Sequence, residues 1–383
     1  MFKVEDLINF IHQCPTQFHV VDYVSKHLKS NGYIEVFESE SFSDFPKRGF
    51  FIRDNRAVVA WNEVNYKSSR ILSTNIDFSC LRLKPNYQNN NKQYKRIRCT
   101  NYGSSQWYTW FGRDLKIAGR IIKFKDSKYI PKLVHIDEPI GFIPWPNSNL
   151  CGNFDLENDF HVCIGTEYSR TLQSILTKSV DYDIRFYDHQ KPNIFGQFVH
   201  GQGLSCLVNA YISLVSFCSQ KDEPNMSVLV LFDNEEIGGS THVGSKSNIL
   251  ESMIGRIIPK NDSLAFKNNS IHMSLCSIES DLSPNMINLG DGMYKSSDTC
   301  LKEPFLGLFE EFLFLQKPRS NNKDIKLFPG KCIEKRSGIS SIELFLPIHS
   351  LGSIRETCSL QDISALEKCL LFFFQNNDNI INV

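Results

Sequence analysis

The sequence lacks a net charge, a membrane-length apolar run and any closely spaced pair of cysteines. Its 42 Lys and Arg balance 42 Asp and Glu, so no global field draws it toward nucleic acid or an anionic membrane surface. No apolar run approaches the roughly 18 residues that a membrane helix needs. The 12 cysteines are scattered singly, without a C-x-x-C pair or the spacing of a small disulfide scaffold, which reads as reduced thiols in a cytosolic core. The first residues, MFKVEDLINFIHQCPTQFHVV, carry acids and a helical apolar rhythm instead of a basic region followed by an apolar block. No signal peptide is therefore expected, and the cytoplasm is the expected compartment.

What is present suffices for a large core: 383 residues, 41% apolar and 22% charged, the proportions of a globular chain. Leu7, Phe10 and Ile11, then Val20, Tyr23, Val24 and Leu28, recur at helical spacing on either side of Pro15, predicting two short helices with a break. Gly49 to Trp61 holds two apolar runs around Arg53-Asp54-Asn55-Arg56, a hairpin signal, and Arg70 to Ile76 is a third extended run.

The basic stretch Lys84 to Arg98, interrupted by Gln88-Asn89-Asn90-Asn91, reads as a solvated loop. From residue 86 to 191 short aromatic and β-branched runs alternate with Gly, Pro and Asn, among them Arg120 to Lys125 and Lys132 to Ile136. That texture predicts an inserted all-β module.

Beyond it, Gly203 to Phe217 reads as a helix and Met226 to Phe232 as a strand buried on both faces. A helix at Leu306 to Leu315, a strand at Ser340 to Leu346 and a helix from Leu360 to Phe374 continue the alternation. Ser320-Asn321-Asn322 and Asn376-Asn377 read as loop. The expected fold is α/β, with residues 1–85 and 192–383 forming one discontinuous domain and 86–191 a β-rich insert.

Phe232-Asp233-Asn234-Glu235-Glu236-Ile237-Gly238 follows the buried strand directly, where α/β sheets place their ligand crevices. Adjacent carboxylates there suit a metallohydrolase, one taking a proton from water and the other holding a metal. Taken alone, an acidic loop after a strand is equally an ordinary solvated turn. Cys80 and Cys206 read as buried inert thiols, and the aromatic cluster Trp107, Tyr108, Trp110 and Phe111 as packed core or subunit contact.

FDNEEIG, with Asn75-Ile76-Asp77-Phe78-Ser79-Cys80-Leu81-Arg82-Leu83-Lys84-Pro85, Tyr102-Gly103 through Trp107-Tyr108-Thr109-Trp110-Phe111-Gly112-Arg113-Asp114-Leu115, and Gly352-Ser353-Ile354-Arg355-Glu356, resembles the aspartyl aminopeptidases of peptidase family M18 in order and spacing. The resemblance implies a zinc-aminopeptidase-like central sheet flanked by helices, an inserted all-β dimerisation domain, and homo-oligomers from dimer to dodecamer. It also implies two zinc ions that activate water and polarise the scissile carbonyl of a peptide with an amino-terminal acidic residue.

By that resemblance Glu235 aligns with the general base, Asp77 with the acid orienting a ligand, and Glu236 with a metal ligand. Four other ligand positions fall on Asn75, Gly201, Ser277 (counted back from Pro284-Asn285) and Gly352, and Tyr108 stands where the family donates a histidine to a neighbouring subunit. An amide, a hydroxyl and two glycines are poor exchanges for zinc donors.

The expectation is a non-catalytic relative without a cofactor, structural, regulatory or peptide-binding, assembling with itself or with an active paralogue. The rival expectation is an active zinc enzyme rebuilt around Glu236 with His200, Cys276 and His349. Gly290-Asp291-Gly292 places an acid near where the family presents a basic group to substrate.

Overall fold

In a computed structural model, the described residues are 2–40, 46–62, 67–89, 95–145, 160–165, 172–177, 179–220, 226–280, 294–296 and 329–375. Met226–Phe232 is buried at all seven positions. Leu229 and Leu231 face one core, with Leu72, Met273 and Leu344; Val228, Val230 and Phe232 face another, with Val59, Trp61 and Ile71. A strand apolar on both sides must be covered on both sides. Helices Val4–Gln13, Leu204–Cys218 and Leu360–Gln375 supply Phe10, Leu207, Ile212 and Leu370 to the first core. Ile249–Ile257 and Pro329–Ser337 supply Met253, Ile254 and Ile333 to the second.

The eight-stranded sheet runs in the order 34–35, 48–53, 57–62, 226–232, 69–75, 271–279, 340–348 and 294–296. Strands 226–232, 69–75, 271–279 and 340–348 are mutually parallel. The hairpin signal forms Arg48–Arg53 and Ala57–Asn62, with Asp54 and Asn55 both at φ 52° and an Arg56 amide to Arg53 carbonyl bond of 3.0 Å. Left-handed conformation at both central residues matches the turn's twist to that of the strands. The two helices flanking Pro15 are Val4–Gln13 and Gln17–Ser30. The chain is thus α/β, with a central mixed sheet flanked by helices, as expected.

Six strands close a barrel in the order 181–188, 80–89, 95–102, 162–164, 128–142 and 114–125. Its first strand begins at Cys80, ahead of residue 86. The loop expected at Lys84 to Arg98 is corrected: its described parts are barrel strands Cys80–Asn89 and Lys95–Tyr102. Ile97 and Cys99 are buried while Arg96 is half-buried and Arg98 exposed, so the two arginines lie on the other face of a period-two strand. Arg120 to Lys125 and Lys132 to Ile136 lie in the long hairpin Asp114–Lys125 and Lys128–Phe142. Gly203 is not helical but precedes its helix at φ 67°. The helix expected at Leu306 to Leu315, and Ser320-Asn321-Asn322, Asn376-Asn377, Pro284-Asn285 and Gly290-Asp291-Gly292, lie outside the described residues.

The carboxyl ends of the parallel strands gather the segments after Asn75, Phe232 and Ile348 at one edge of the sheet, which places the candidate site. Barrel closure depends on Gly119, where a Cβ would sit 2.1 Å from the Asp183 carbonyl oxygen and 2.9 Å from the Ile184 Cα. Both are backbone atoms of the paired strand and cannot swing aside. Gly119→Ala is therefore expected to cost about 1–3 kcal/mol, read as a lowered denaturant midpoint; an unchanged midpoint would contradict this closure.

Candidate functional site

Asp77 is fully buried two residues beyond Ser69–Asn75. Its Oδ1 accepts the Glu235 amide at 3.1 Å, and its Oδ2 accepts the Glu236 amide at 3.1 Å and the Tyr102 hydroxyl at 2.8 Å. One carboxylate thus ties the end of a central strand to the acidic turn and to a barrel strand. Asn234, at φ 69°, donates its side-chain amide to the Tyr102 oxygen at 2.8 Å and accepts from Arg56 at 3.0 Å and Thr241 at 3.1 Å. Asp233, also fully buried, takes the Arg56 Nε at 2.5 Å. Cation and carboxylate are paired as burial requires.

Glu235 and Glu236 form a short 3-10 turn, and their side chains part. Glu235 folds back: Oε1 accepts the Ser245 amide at 2.7 Å and Oε2 the Ser245 hydroxyl at 3.0 Å. A Cβ on Gly239, at φ 63°, would meet Glu235 Oε1 at 2.6 Å, so glycine is required where the loop wraps this carboxylate. Glu236 Oε2 accepts the Ser79 hydroxyl at 2.7 Å, and a Cβ on Gly103, at φ 81°, would lie 2.3 Å from that oxygen.

The other aligned positions are held in protein contacts. Asn75 Nδ2 donates to the Asp77 carbonyl and to Cys206 Sγ, each at 3.0 Å. At Gly201 a Cβ would stand 3.0 Å from Pro192 Cβ, so the Pro192 ring occupies the room a longer side chain would need. The Ser277 hydroxyl donates to the Ser205 carbonyl at 2.6 Å. Gly352, at φ 76°, gives its amide to Glu356 Oε1 at 2.9 Å and accepts the Gln106 amide at 2.9 Å. Tyr108 is 63% exposed on the turn Trp107–Trp110, its hydroxyl on Gln106 Oε1 at 2.6 Å; Trp110 is buried.

Glu356 was not singled out by sequence for a role. It is buried, takes the Ser205 amide at 2.8 Å and the Ser205 hydroxyl at 3.1 Å, and so caps from afar the amino end of Leu204–Cys218, where an anion is favoured. Tyr102, Ser79, Ser245 and Arg56 were likewise missed. The sequence signal for Ser245 was Gly238-Gly239, which marks a chain folding back on its acids.

Burial, with the charges of Asp233 and Glu236, pushes the Asp77 carboxyl up to about 8 against the pull of its Tyr102 and Glu236-amide bonds. Burial pushes Glu356 up to about 7 against its bonds from Ser205 and Gly352, and raises Glu235 too. Cys80 rises to about 11, and Cys206 well above a free thiol, through burial, so neither is a poised nucleophile.

The proposed stand-ins do not converge. His200 Nδ1 lies 2.9 Å from the Thr357 hydroxyl, His349 Nδ1 lies 3.1 Å from the Ser280 carbonyl, and the buried Cys276 thiol is 3.9 Å from Ser274. Among the described residues, no three His, Cys, Asp or Glu side chains group as a metal ion would need. Glu236 is a single carboxylate already held by Ser79. This donor set does not fit a zinc pair.

The family model described as aminopeptidase I zinc metalloprotease (M18) matches residues 10–150 and 158–288. Aspartyl aminopeptidase 1 of Schizosaccharomyces pombe is 25% identical over 454 residues, covering 98% of this chain and 95% of that one. The cryo-EM structure of the Ape4 and Nbr1 complex aligns with a TM-score of 0.88 at 23% identity, over 97% of this chain and 85% of that one. The S. cerevisiae mApe1 dodecamer aligns at 0.77 and 20% identity, over 96% and 95%.

A carboxyl whose folded-state pKa is raised stabilises fully below its unfolded value and loses that contribution as pH rises through the folded one. For Asp77 and Glu356 the window runs from about 4 to about 8. Asp77→Asn cannot ionise, so it should gain on the unmodified chain by on the order of 1 kcal/mol per pH unit across that window. Denaturation at each pH reads the difference, and a constant offset would contradict it.

Proposed function

The chain belongs to the M18 aminopeptidase family, and we propose that within it this protein is a non-catalytic member, a structural or regulatory subunit in a homo-oligomer. The observation that carries this reading is the closed hydrogen-bond circuit of the crevice. Asp77 is spent on two amides and Tyr102, Glu235 on Ser245, and Glu236 meets Ser79. A general base must reach the proton it abstracts, and Glu235 is turned into its own loop.

The aligned positions Asn75, Gly201, Ser277 and Gly352 contribute structure: an amide to Cys206, space for Pro192, a hydroxyl to Ser205 and an amide to Glu356. The family is described as zinc metalloproteases, and the donor set among the described residues does not fit zinc.

Assembly is supported by the likeness to the mApe1 dodecamer, and exposed apolar side chains on and beside the barrel, among them Tyr129 at 70% and Trp145 at 68%, are available to such contacts. Tyr108 replaces a family histidine at such a contact, and co-assembly with an active paralogue is the same chemistry with a second chain. Among the described residues no helix is long and apolar enough to cross a membrane.

The test is metal content and turnover together. The purified chain is expected to hold substoichiometric zinc and to release no amino-terminal Asp or Glu from peptides above background, with Glu235→Gln indistinguishable from it. Stoichiometric zinc with turnover that falls about 10²- to 10⁴-fold in Glu235→Gln would overturn this in favour of an active metalloaminopeptidase.

A further inference from the structure

The N-terminal helix pair, whose apolar faces belong to the first core, also meets the barrel at a group of histidines remote from the crevice. His19 of Gln17–Ser30 is 8% exposed, with Nδ1 2.8 Å from the Thr16 hydroxyl and a buried Nε2 that has no partner among the described residues. Its ring lies 5.6 Å from that of His135 on barrel strand Lys128–Phe142, edge to face. His135 also lies 6.5 Å from the ring of His12, at the end of Val4–Gln13, and 5.9 Å from Tyr187. Three imidazoles from three elements therefore meet across one seam.

The charges facing them are unevenly matched. Asp137 takes the buried Lys116 ammonium and lies 3.9 Å from His12 Nε2, so one carboxylate serves both. Lys191 and Lys116 face His12, Lys116 faces His135, and Asp22 and Lys26 face His19. Arg120 and Arg185 flank Phe18 of the same helix at 4.5 and 5.9 Å. New positive charge on the rings would meet more cations than anions.

The seam is also loosely satisfied. A cavity of about 30 Å³, lined by His12, Lys116, Tyr187, His189 and Gln202 among others, has room for about one water. The Tyr187 hydroxyl, His189 Nδ1, Gln202 Nε2 and both amide atoms of Gln17 are buried without hydrogen-bond partners among the described residues. Such groups hold a contact weakly.

We propose that His12, His19 and His135 form an acid-sensitive latch, holding the seam between the N-terminal helices and the barrel closed while neutral and loosening it when charged. Burial lowers all three, His19 to about 4; on His12 and His135 it outweighs the opposing pull of the Asp137 carboxylate, with the nearby lysines adding a smaller push in the same direction as burial. A group whose folded-state pKa is depressed stabilises fully above its unfolded value, near 6.5, and loses that contribution as pH falls through the folded one. The release window therefore lies below about pH 6.5.

Hydrogen exchange of the full chain at about pH 7.5 and about pH 5, corrected for intrinsic rates, tests this, with the buried helix Leu204–Cys218 as internal reference. Protection over residues 12–19 should fall about tenfold or more relative to the reference at the lower pH, and His19→Gln, which removes the ring that burial depresses furthest, should abolish most of that fall. If that variant does not fold, His12→Gln with His135→Gln should measurably lessen the fall while leaving the part that His19 carries. Equal protection at both pH values, or an undiminished fall in the folded variant, would overturn the latch.

Discussion

The crevice depends on one buried carboxylate. Asp77 accepts three hydrogen bonds from two segments distant in sequence, the 235–236 turn and the barrel strand ending at Tyr102. Removing it would leave two amides and a hydroxyl unpaired in the interior, each a desolvated donor worth about 1–3 kcal/mol. The sheet and the barrel are thus registered against each other at the point where the acidic turn sits. That constraint orients Glu235 and Glu236 even though neither side chain takes part in it.

Around Asp77 the buried acids are compensated by protein groups. Arg56 neutralises Asp233, the fully buried Arg185 lies 3.5 Å from Asp183, and Arg185 stacks 4.4 Å over Tyr102. Glu356 rests on the amino end of Leu204–Cys218, where backbone amides serve as the counter-charge. Asp233 and Asp183 are thus paired with arginines, whereas Asp77 and Glu356, raised by burial and neighbouring acids, dispense with a cation by holding a proton near neutral pH. The same economy explains why Gly201 and Gly352 are tolerated: one makes room for Pro192, and the other gives its amide to Glu356.

Much of the scaffold was legible in local pattern. The unbroken run Met226–Phe232, the turn Arg53-Asp54-Asn55-Arg56 and the apolar stripes around Pro15 each announce an element through periodicity or turn chemistry. So did the placing of Glu235 and Glu236 at a strand's carboxyl end. What escaped was long-range: Arg56 reaching Asp233, Tyr102 reaching Asp77, and Ser205 reaching Glu356 leave no local trace. The Lys84 to Arg98 strands escaped because their outward basic residues outweigh the few inward apolar ones in composition. His12, His19 and His135 meet only after the barrel has closed.

A crevice completed by hydrogen bonds and arginines gains no stability from a metal ion. A ligand that binds only the folded state at a hundredfold excess over its Kd raises stability by about 2.7 kcal/mol. Thermal unfolding of the purified chain in chelator and in excess zinc therefore decides it. Superimposable transitions are expected; a zinc-dependent rise in midpoint that Glu236→Gln abolishes would rule out a metal-free crevice.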